Sequence, residues 1–218
     1  MATVIDYISE IRNELPKDYP NITNRSLINL INEFRAIQIK NELNQNKIIP
    51  KAIVQTISGI QMEMAAQIDV PFITDNSRIL KSKQIIPNRI NLSNRELVTS
   101  VYDGKILSQK YNLVTPEQAI YSGNGRGNQK KVFCFIYNNY LYIKLKRQNT
   151  NISLIANLTL EGIFENPLDL IPLQYSEYFD FLQFEYPISM TMWAYIKSNI
   201  LKSGLNVIQA EQQEKGND

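Results

Sequence analysis

The segment Ser26 to Asn46, SLINLINEFRAIQIKNELNQN, is the strongest helix-forming stretch of this chain. Five apolar residues recur at helical spacing and form one broad stripe: Leu27, Leu30, Ile31, Phe34 and Ile37. Ile28 and Ile39 widen the stripe, which predicts a helix that is contacted on more than one side. Arg35 lies at the margin of the stripe, and we expect its stem to pack while its charged head reaches water. The alternative is a salt bridge from Arg35 to a neighbouring subunit.

A shorter amphipathic helix precedes this stretch. Its apolar positions are Val4, Ile5, Ile8 and Ile11, with Thr3 as a capping residue and Pro16 close behind. Thr23 and Asn24 are the candidate N-caps of the long helix. Because the linker is short, the two helices are expected to pack as a hairpin.

A second strong helix lies near the C-terminus. Its apolar residues recur at every fourth position as Ile188, Met192, Ile196 and Ile200, flanked by Trp193 and Tyr195. Pro187 is predicted to open this helix and Gly204 to end it. Such a stripe most commonly packs into the core of its own chain. The polar residues beyond it predict a loose tail.

The middle of the chain reads as strands with one short helix. Alternating or β-rich segments cover residues 52–66, 78–87, 97–102, 106–113, 131–146 and 152–164. A helix from Ile60 to Ile68 is the alternative for part of the first segment. Pro87 predicts an edge strand or a strand end. Thr115 and Pro116 predict the start of a helix that runs to Tyr121.

The clearest strand signal is the hairpin Lys131 to Lys146, KVFCFIYNNYLYIKLK, with Asn138-Asn139 as its two-residue turn. One face is aliphatic and predicts the core: Val132, Cys134, Ile136, Leu141, Ile143 and Leu145. The opposite face carries Phe133, Phe135, Tyr137, Tyr140, Tyr142 and Lys144. Because this face is too aromatic for water alone, we expect another layer of the chain or a partner to cover it. Stacking of nucleic-acid bases is a further alternative.

Two other polar features, a basic cluster and a glycine-rich segment, are weak indicators of a binding site. Arg78, Lys81, Lys83 and Arg89 form a modest basic cluster, which is either a solvated strand face or a contact for phosphate. The glycine-rich segment 122–128, SGNGRGN, lacks the spacing of a phosphate-binding loop and predicts an exposed loop that carries Arg126.

Composition limits the possible chemistry. The 218 residues are 44% hydrophobic and carry a net charge of +2, which is too small to indicate nucleic-acid binding by charge alone. With one cysteine and no histidine, the chain lacks an intramolecular disulfide and the commonest general base and metal ligand. There is no signal-peptide pattern and no apolar run long enough to span a membrane. We therefore expect no enzyme, cofactor, metal site or membrane partner.

These patterns predict an α+β fold. An N-terminal helical hairpin (1–50) and a C-terminal helix (186–205) are expected to form a bundle. Residues 51–185 form an antiparallel β-rich part, and 206–218 a flexible tail. We expect a single domain with an elaboration.

Four segments in order resemble the ring proteins, or head-to-tail adaptors, of crAss-like tailed phages. They are SLINLINEFRAIQIKNELNQNK (26–47), VQTISGIQME (54–63), DVPFITDNSRILKSKQIIP (69–87) and TPEQAIYSGNGRGNQKKVFCFIYNNYLYIK (115–144). The resemblance covers roughly residues 1–164, and the order of weak motifs carries it.

The resemblance implies a virion structural protein of the phage neck or tail that is assembled in the bacterial cytoplasm. It implies a dodecameric ring that lengthens the portal channel, connects capsid to tail, and contacts the portal, neighbouring ring or tail proteins and passing double-stranded DNA without sequence preference.

A closed ring needs a heterologous interface, and therefore two different adhesive faces on each subunit. Candidate subunit contacts are Leu27, Ile28, Phe34, Arg35, Ile39, Phe133, Phe135, Tyr137, Tyr140 and Tyr142. By the resemblance, candidate portal or ring contacts are Met192, Trp193, Ile196 and Ile200, and candidate channel-lining residues are Arg78, Lys81, Lys83 and Arg126. The alternative function is a single-stranded nucleic-acid-binding module that uses the aromatic face of the 132–145 hairpin.

Overall fold

The computed structural model describes residues 2–15, 22–45, 48, 50–74, 77–92, 95–103, 110–122, 131–145, 157–175 and 178–215. These residues form a mixed α+β fold, as predicted. The helices are α1 (Val4–Glu14), α2 (Asn24–Asn44), α3 (Pro116–Tyr121), α4 (Ile171–Gln174) and α5 (Met190–Lys215). The strands are β1 (Gln55–Met64), β2 (Arg78–Ser82), β3 (Asn91–Leu92), β4 (Arg95–Glu96), β5 (Val98–Asp103), β6 (Asn112–Leu113), β7 (Phe133–Tyr137), β8 (Tyr140–Leu145) and β9 (Asn157–Gly162).

The chain divides into two compact units. The helical unit comprises Met1–Val54, Glu165–Ile171 and Tyr175–Asp218, and it holds α1, α2 and α5. The sheet unit comprises Gln55–Phe164 and Pro172–Gln174, and it holds all nine strands and α3.

The two N-terminal helices start where capping chemistry predicts. The Asp6 carboxylate accepts hydrogen bonds from the Thr3 backbone N–H at 2.8 Å and from its hydroxyl at 2.7 Å, and these bonds lower the pKa of Asp6. The Thr23 hydroxyl accepts from the Ser26 N–H at 3.1 Å at the start of α2. The three helices α1, α2 and α5 contact one another within the helical unit.

The buried side of α2 differs from the predicted stripe. Its buried residues are Leu27, Ile28, Ile31, Arg35, Ile39 and Leu43, which follow a period close to four. Ile37, predicted to lie on the apolar stripe, is 40% exposed, and Phe34 is half-buried. Arg35 is fully buried, so the prediction that its head reaches water is wrong. The reason is a tertiary partner, because its Nε donates to the carbonyl oxygen of Pro187 at 3.1 Å.

Helix α5 is longer than predicted and begins later. It starts at Met190, where the Ser189 hydroxyl accepts from the Met192 N–H at 3.3 Å. It continues to Lys215, so Gly204 does not end it and the helix extends into the predicted tail. An interior glycine costs a helix only about 1 kcal/mol, which good helix formers on both sides can offset.

Strand β1 contains a bulge that changes its inward-facing residues. Gln55, Ile57 and Ile60 are buried, so the alternation predicted for the segment 52–66 is interrupted between Ile57 and Ile60. The pairing with β9 shifts between Ile57 and Ile60, where Gly59 has φ +73°. The alternative of a helix from Ile60 is wrong as far as Met64, because β1 continues to that residue.

The main sheet has the order β5-β9-β1-β2-β8-β7-β6, in which only the β6–β7 pair is parallel. Because β2 lies inside the sheet, the edge-strand reading of Pro87 is wrong, and β2 ends at Ser82. Strand β5 pairs with β9. The strand predicted at 106–113 is confined to Asn112–Leu113 among the described residues, and 104–109 and 152–156 lie outside them.

The hairpin of β7 and β8 has the predicted turn and register. Asn138 and Asn139 have φ of 47° and 61°, and Tyr137 pairs with Tyr140. The aliphatic face is buried from Cys134 onward, as predicted. Helix α3 begins where Thr115 and Pro116 predict. Its start is a capping box, since the Gln118 N–H donates to Thr115 Oγ1 at 3.3 Å and the Thr115 N–H donates to Gln118 Oε1 at 3.2 Å.

Candidate functional site

The aromatic face of the β7–β8 hairpin is covered by the chain itself. Phe135 and Tyr142 are stacked with ring centroids 5.2 Å apart, and both are at most 1% exposed. They belong to an apolar cluster that also contains Val70, Ile73, Ile79 and Ala119. Phe133 is also buried, so base stacking on these three rings is incompatible with the fold. Only Tyr137 and Tyr140 of this face are half-exposed.

Lys144 joins this face to α3 by hydrogen bonds. Its side chain is buried, and its Nζ donates to the carbonyl oxygens of Ala119 at 2.9 Å and Ile120 at 3.1 Å. These carbonyls belong to the last turn of α3, where a cation is favoured by the helix dipole. The lysine on the aromatic face therefore has a structural role that its sequence position did not indicate.

Only part of the predicted basic cluster is exposed and free of ion pairs within the described residues. Lys81 forms an ion pair with Asp69 at 2.8 Å, and its Nζ lies 4.2 Å from the centroid of the Tyr140 ring. The hydrogen bond between Lys81 and Asp69 raises the pKa of Lys81 and lowers the pKa of Asp69. Arg78 and Lys83 are exposed, while Arg89 is half-buried. Arg126 lies outside the described residues.

A buried polar network runs through the helical unit. The Arg35 guanidinium lies 5.9 Å from the Tyr186 ring centroid, and burial lowers its pKa to about 10. Burial also raises the pKa of Tyr186, whose hydroxyl donates to Asn32 Oδ1. Asn32 Nδ2 donates to Asn166 Oδ1 at 3.0 Å. Sequence reasoning missed these partners, because residues more than a hundred positions apart leave no local pattern.

The predicted portal-contact stripe on α5 is buried in the same unit. Met192, Trp193, Ile196 and Ile200 are at most 8% exposed, which confirms the core interpretation of the stripe. Nearby, Lys197 forms ion pairs with Glu10 at 2.6 Å and Glu14 at 2.9 Å, and Glu10 also accepts from the Trp193 indole. The hydrogen bond from Lys197 is the main cause that lowers the pKa of Glu10. These contacts hold α1 to α5.

A segment that we call the aromatic strap, Tyr175 and residues 178–186, is held against the start of α1. The Val4 N–H donates to Phe184 O at 3.0 Å, and the Tyr186 N–H donates to Ala2 O at 3.2 Å. The rings of Tyr175 and Phe179 stack with centroids 4.2 Å apart. The strap therefore has a defined backbone and an ordered ring pair.

The strap also exposes large aromatic side chains. Tyr178 is 95% exposed, Tyr175 42% and Phe181 44%, and Met190 just beyond the strap is 92% exposed. The sequence marks this segment as aromatic and acidic, but nothing in the pattern separated it from the buried stripes. Exposed aromatic side chains grouped in one segment are typical of an interaction surface.

The sequence model of the family described as phage tail ring protein 2 matches residues 3–218. The chain belongs to this family. The resemblance to ring proteins of crAss-like phages is thereby confirmed, and the match extends beyond the segments on which it was based. No curated protein matches the sequence.

Seven of the ten predicted subunit-contact residues of this ring protein are buried within its own chain. Leu27, Ile28, Arg35 and Ile39 are buried in the chain, as are Phe133, Phe135 and Tyr142. Their burial removes them from the surface of a single subunit. Phe34, Tyr137 and Tyr140 are half-exposed and stay candidates for subunit contact.

The described part of this ring protein has few features of small-molecule chemistry. Its described residues contain no cluster of three or more His, Cys, Asp or Glu side chains that could hold a metal ion. A small apolar recess is lined by Val4, Tyr7, Ile28, Ile31 and Tyr186. No helix among the described residues is long and apolar enough to cross a membrane. The Cys134 thiol is buried, and burial raises its pKa to about 12, which makes it a poor nucleophile.

Proposed function

We propose that this chain is a ring-forming structural protein of the phage neck that acts as a head-to-tail adaptor. The ring extends the portal channel for DNA and connects the capsid to the tail. The observation that carries the proposal is the family match over residues 3–218. Its partners are further copies of itself, in a ring of twelve, the portal protein and neighbouring ring or tail proteins.

The charge distribution supports a ring of identical subunits. The helical unit has ten basic and fourteen acidic side chains, a net charge of −4, whereas the sheet unit has thirteen basic and seven acidic, a net charge of +6. A ring needs a heterologous interface in which two unlike faces meet. Opposite net charges on two units of each copy favour head-to-tail contact over contact between like units.

Weak contact with passing DNA is compatible with the exposed basic residues. Arg78 and Lys83 are exposed, and neither forms an ion pair within the described part of the chain. A few separated cations provide sequence-independent attraction to phosphate, and each added phosphate contact steepens the salt dependence of binding. With an overall net charge of +2, a channel of such subunits would hold DNA only loosely.

The test is the mass of the purified chain by light scattering, alone and mixed with portal, with electron microscopy of the same samples. Twelve copies of a 25.2 kDa chain would weigh about 300 kDa. We expect one mass that does not grow with protein concentration and a ring in projection, formed alone or in the presence of portal.

Open-ended aggregation is distinguished from a ring because its mass keeps rising with concentration. A chain that stays monomeric at every concentration and ignores portal would contradict the proposal. A monomer that shifts an oligonucleotide in a salt-sensitive way would instead favour nucleic-acid binding through a surface other than the three buried rings of the hairpin face.

A further inference from the structure

The stretch of sequence that contains the aromatic strap has acidic residues and no basic ones. Between Arg147 and Lys197 the sequence has no Lys or Arg over residues 148–196. The same stretch has six acidic residues: Glu161, Glu165, Asp169, Glu177, Asp180 and Glu185. In the strap itself, Asp180 and Glu185 are exposed beside Tyr178 and Phe181. The strap therefore combines exposed aromatic rings with exposed acidic side chains and has no basic residue of its own.

The strap is organised before any partner arrives. Its backbone is hydrogen-bonded to the backbone of Ala2 and Val4. The Asp180 carboxylate also accepts a hydrogen bond from the Leu182 N–H at 3.0 Å, which closes a turn. Tyr178 points its ring into solvent, with 95% of its surface exposed. Because little further ordering is needed on binding, such a segment loses less entropy than a flexible loop would.

We propose that the aromatic strap of one copy docks on the basic sheet unit of a second copy. This inference rests on the proposed ring function and names the surface and the partner for it. Aromatic side chains are the usual anchors of an interface, and acidic side chains around them match the net charge of +6 on the sheet unit. Contact between one strap and another would bring like charges together, so symmetric dimers are disfavoured.

Other occupants fit less well. DNA and anionic lipid surfaces carry negative charge and would be repelled by the strap. A different virion protein with a basic face could satisfy the same chemistry. The experiment therefore has to identify the partner directly, without relying on weakened assembly alone.

The direct test replaces Tyr178 with a photo-crosslinking phenylalanine analogue in the full chain and irradiates the assembled protein. Mass spectrometry of the cross-linked peptides then locates the second residue. We expect cross-links between copies that end within residues 55–164. The control places the same analogue at Tyr195, which is 41% exposed on α5, and we expect it not to give these cross-links.

Rings that form while Tyr178 cross-links only to residues of another helical unit, only to a different virion protein, or to nothing would overturn the docking inference and leave the ring function standing. A chain that never assembles, even with portal, would contradict both. The two failures are distinguished by light scattering on the irradiated sample.

A second test uses substitutions that leave the fold unchanged. Tyr178→Ala removes an exposed ring, and we expect the dissociation constant for assembly to rise at least about tenfold, against less than about threefold for Tyr195→Ala. Glu185→Lys and Glu33→Lys change the net charge equally, and both carboxylates are exposed and free of ion pairs within the described residues.

Only Glu185→Lys is expected to weaken assembly, and its effect should shrink between 0.1 and 1 M salt, as the screening length falls from about 10 Å to about 3 Å. Equal effects of Glu185→Lys and Glu33→Lys would show that net charge alone matters and would overturn the assignment of the strap.

Discussion

Phe135→Ala separates the two explanations of the aromatic hairpin face. If the face were a subunit contact, the substitution would weaken assembly and leave the single chain stable. In the structure Phe135 is fully buried, stacked 5.2 Å from Tyr142 and packed edge-on 6.1 Å from Phe72. We therefore expect the substitution to act on the fold of the sheet unit.

The magnitude follows from burial and from the cavity left behind. Truncating a buried Phe to Ala costs about 3–5 kcal/mol, because the transfer free energy is lost and the surroundings relax only partly. Losing the stacked pair adds to this cost, by about 0.5–1.5 kcal/mol in measured aromatic pairs. Phe135→Leu keeps most of the volume and should cost less than about 2 kcal/mol. Tyr121→Ala, at a site that is 76% exposed, should change stability by less than about 0.5 kcal/mol.

The assay is urea unfolding followed by two probes. Far-UV circular dichroism reports the whole chain, whereas tryptophan fluorescence reports the helical unit, because Trp193 is the only tryptophan in the sequence. With a slope of about 2 kcal/mol per molar urea, a loss of 4 kcal/mol lowers the midpoint of the sheet transition by about 2 M. A Phe135→Ala chain as stable as Tyr121→Ala, but defective in assembly, would refute the argument that the chain covers this face itself.

Three further predictions concern single residues of the sheet unit. Lys144→Met should lower the free energy of unfolding by about 2 kcal/mol, because two charge-assisted hydrogen bonds are lost while the desolvation cost of the buried ammonium group is relieved. In the same urea titration, Lys131→Met at an exposed site should lower it by less than about 0.5 kcal/mol. Gly59→Ala should cost about 1 kcal/mol from its left-handed φ alone, because a Cβ there meets nothing within 4 Å, and a neutral result would contradict the β-bulge. Cys134, with its pKa raised to about 12, should not react with an aromatic disulfide reagent at pH 8 until urea unfolds the chain, and rapid labelling of the native protein would disagree with its burial.

Local chemistry explains what could be predicted from the sequence. The Asn138-Asn139 turn fixed the register of β7 and β8, because a two-residue hairpin loop leaves one pairing. The caps at Thr23 and Thr115 were predictable for the same reason, since a hydroxyl and an N–H three residues later are enough to define them.

Features that depend on distant partners were not predictable. Arg35 lies at the margin of the apolar stripe of its own helix, where a charged residue usually reaches water. The carbonyl of Pro187, 152 positions away, and the ring of Tyr186 are distant partners that accompany its burial. The bulge at Gly59 shifted the inward face of β1, because an inserted residue reverses which side of the sheet the following alternate residues face. Helix α5 continues through Gly204 because one interior glycine costs a helix only about 1 kcal/mol, which is too little to end it.

The contact residues were predicted from apolarity, and this is why most of them lie inside the chain. A broad apolar stripe or an aromatic strand face satisfies core packing before it becomes available to a partner, as Leu27 and Phe135 show. A better signal is an aromatic residue where no periodicity requires one, beside charges of a single sign. Tyr178 meets that condition, because it lies outside any helix or strand and in a stretch of 49 residues without a basic side chain. The overall net charge of +2 concealed this feature, since charges of −4 and +6 on the two units nearly cancel in the sum. Charge counted by structural unit therefore carries information about assembly that the charge of the whole chain does not.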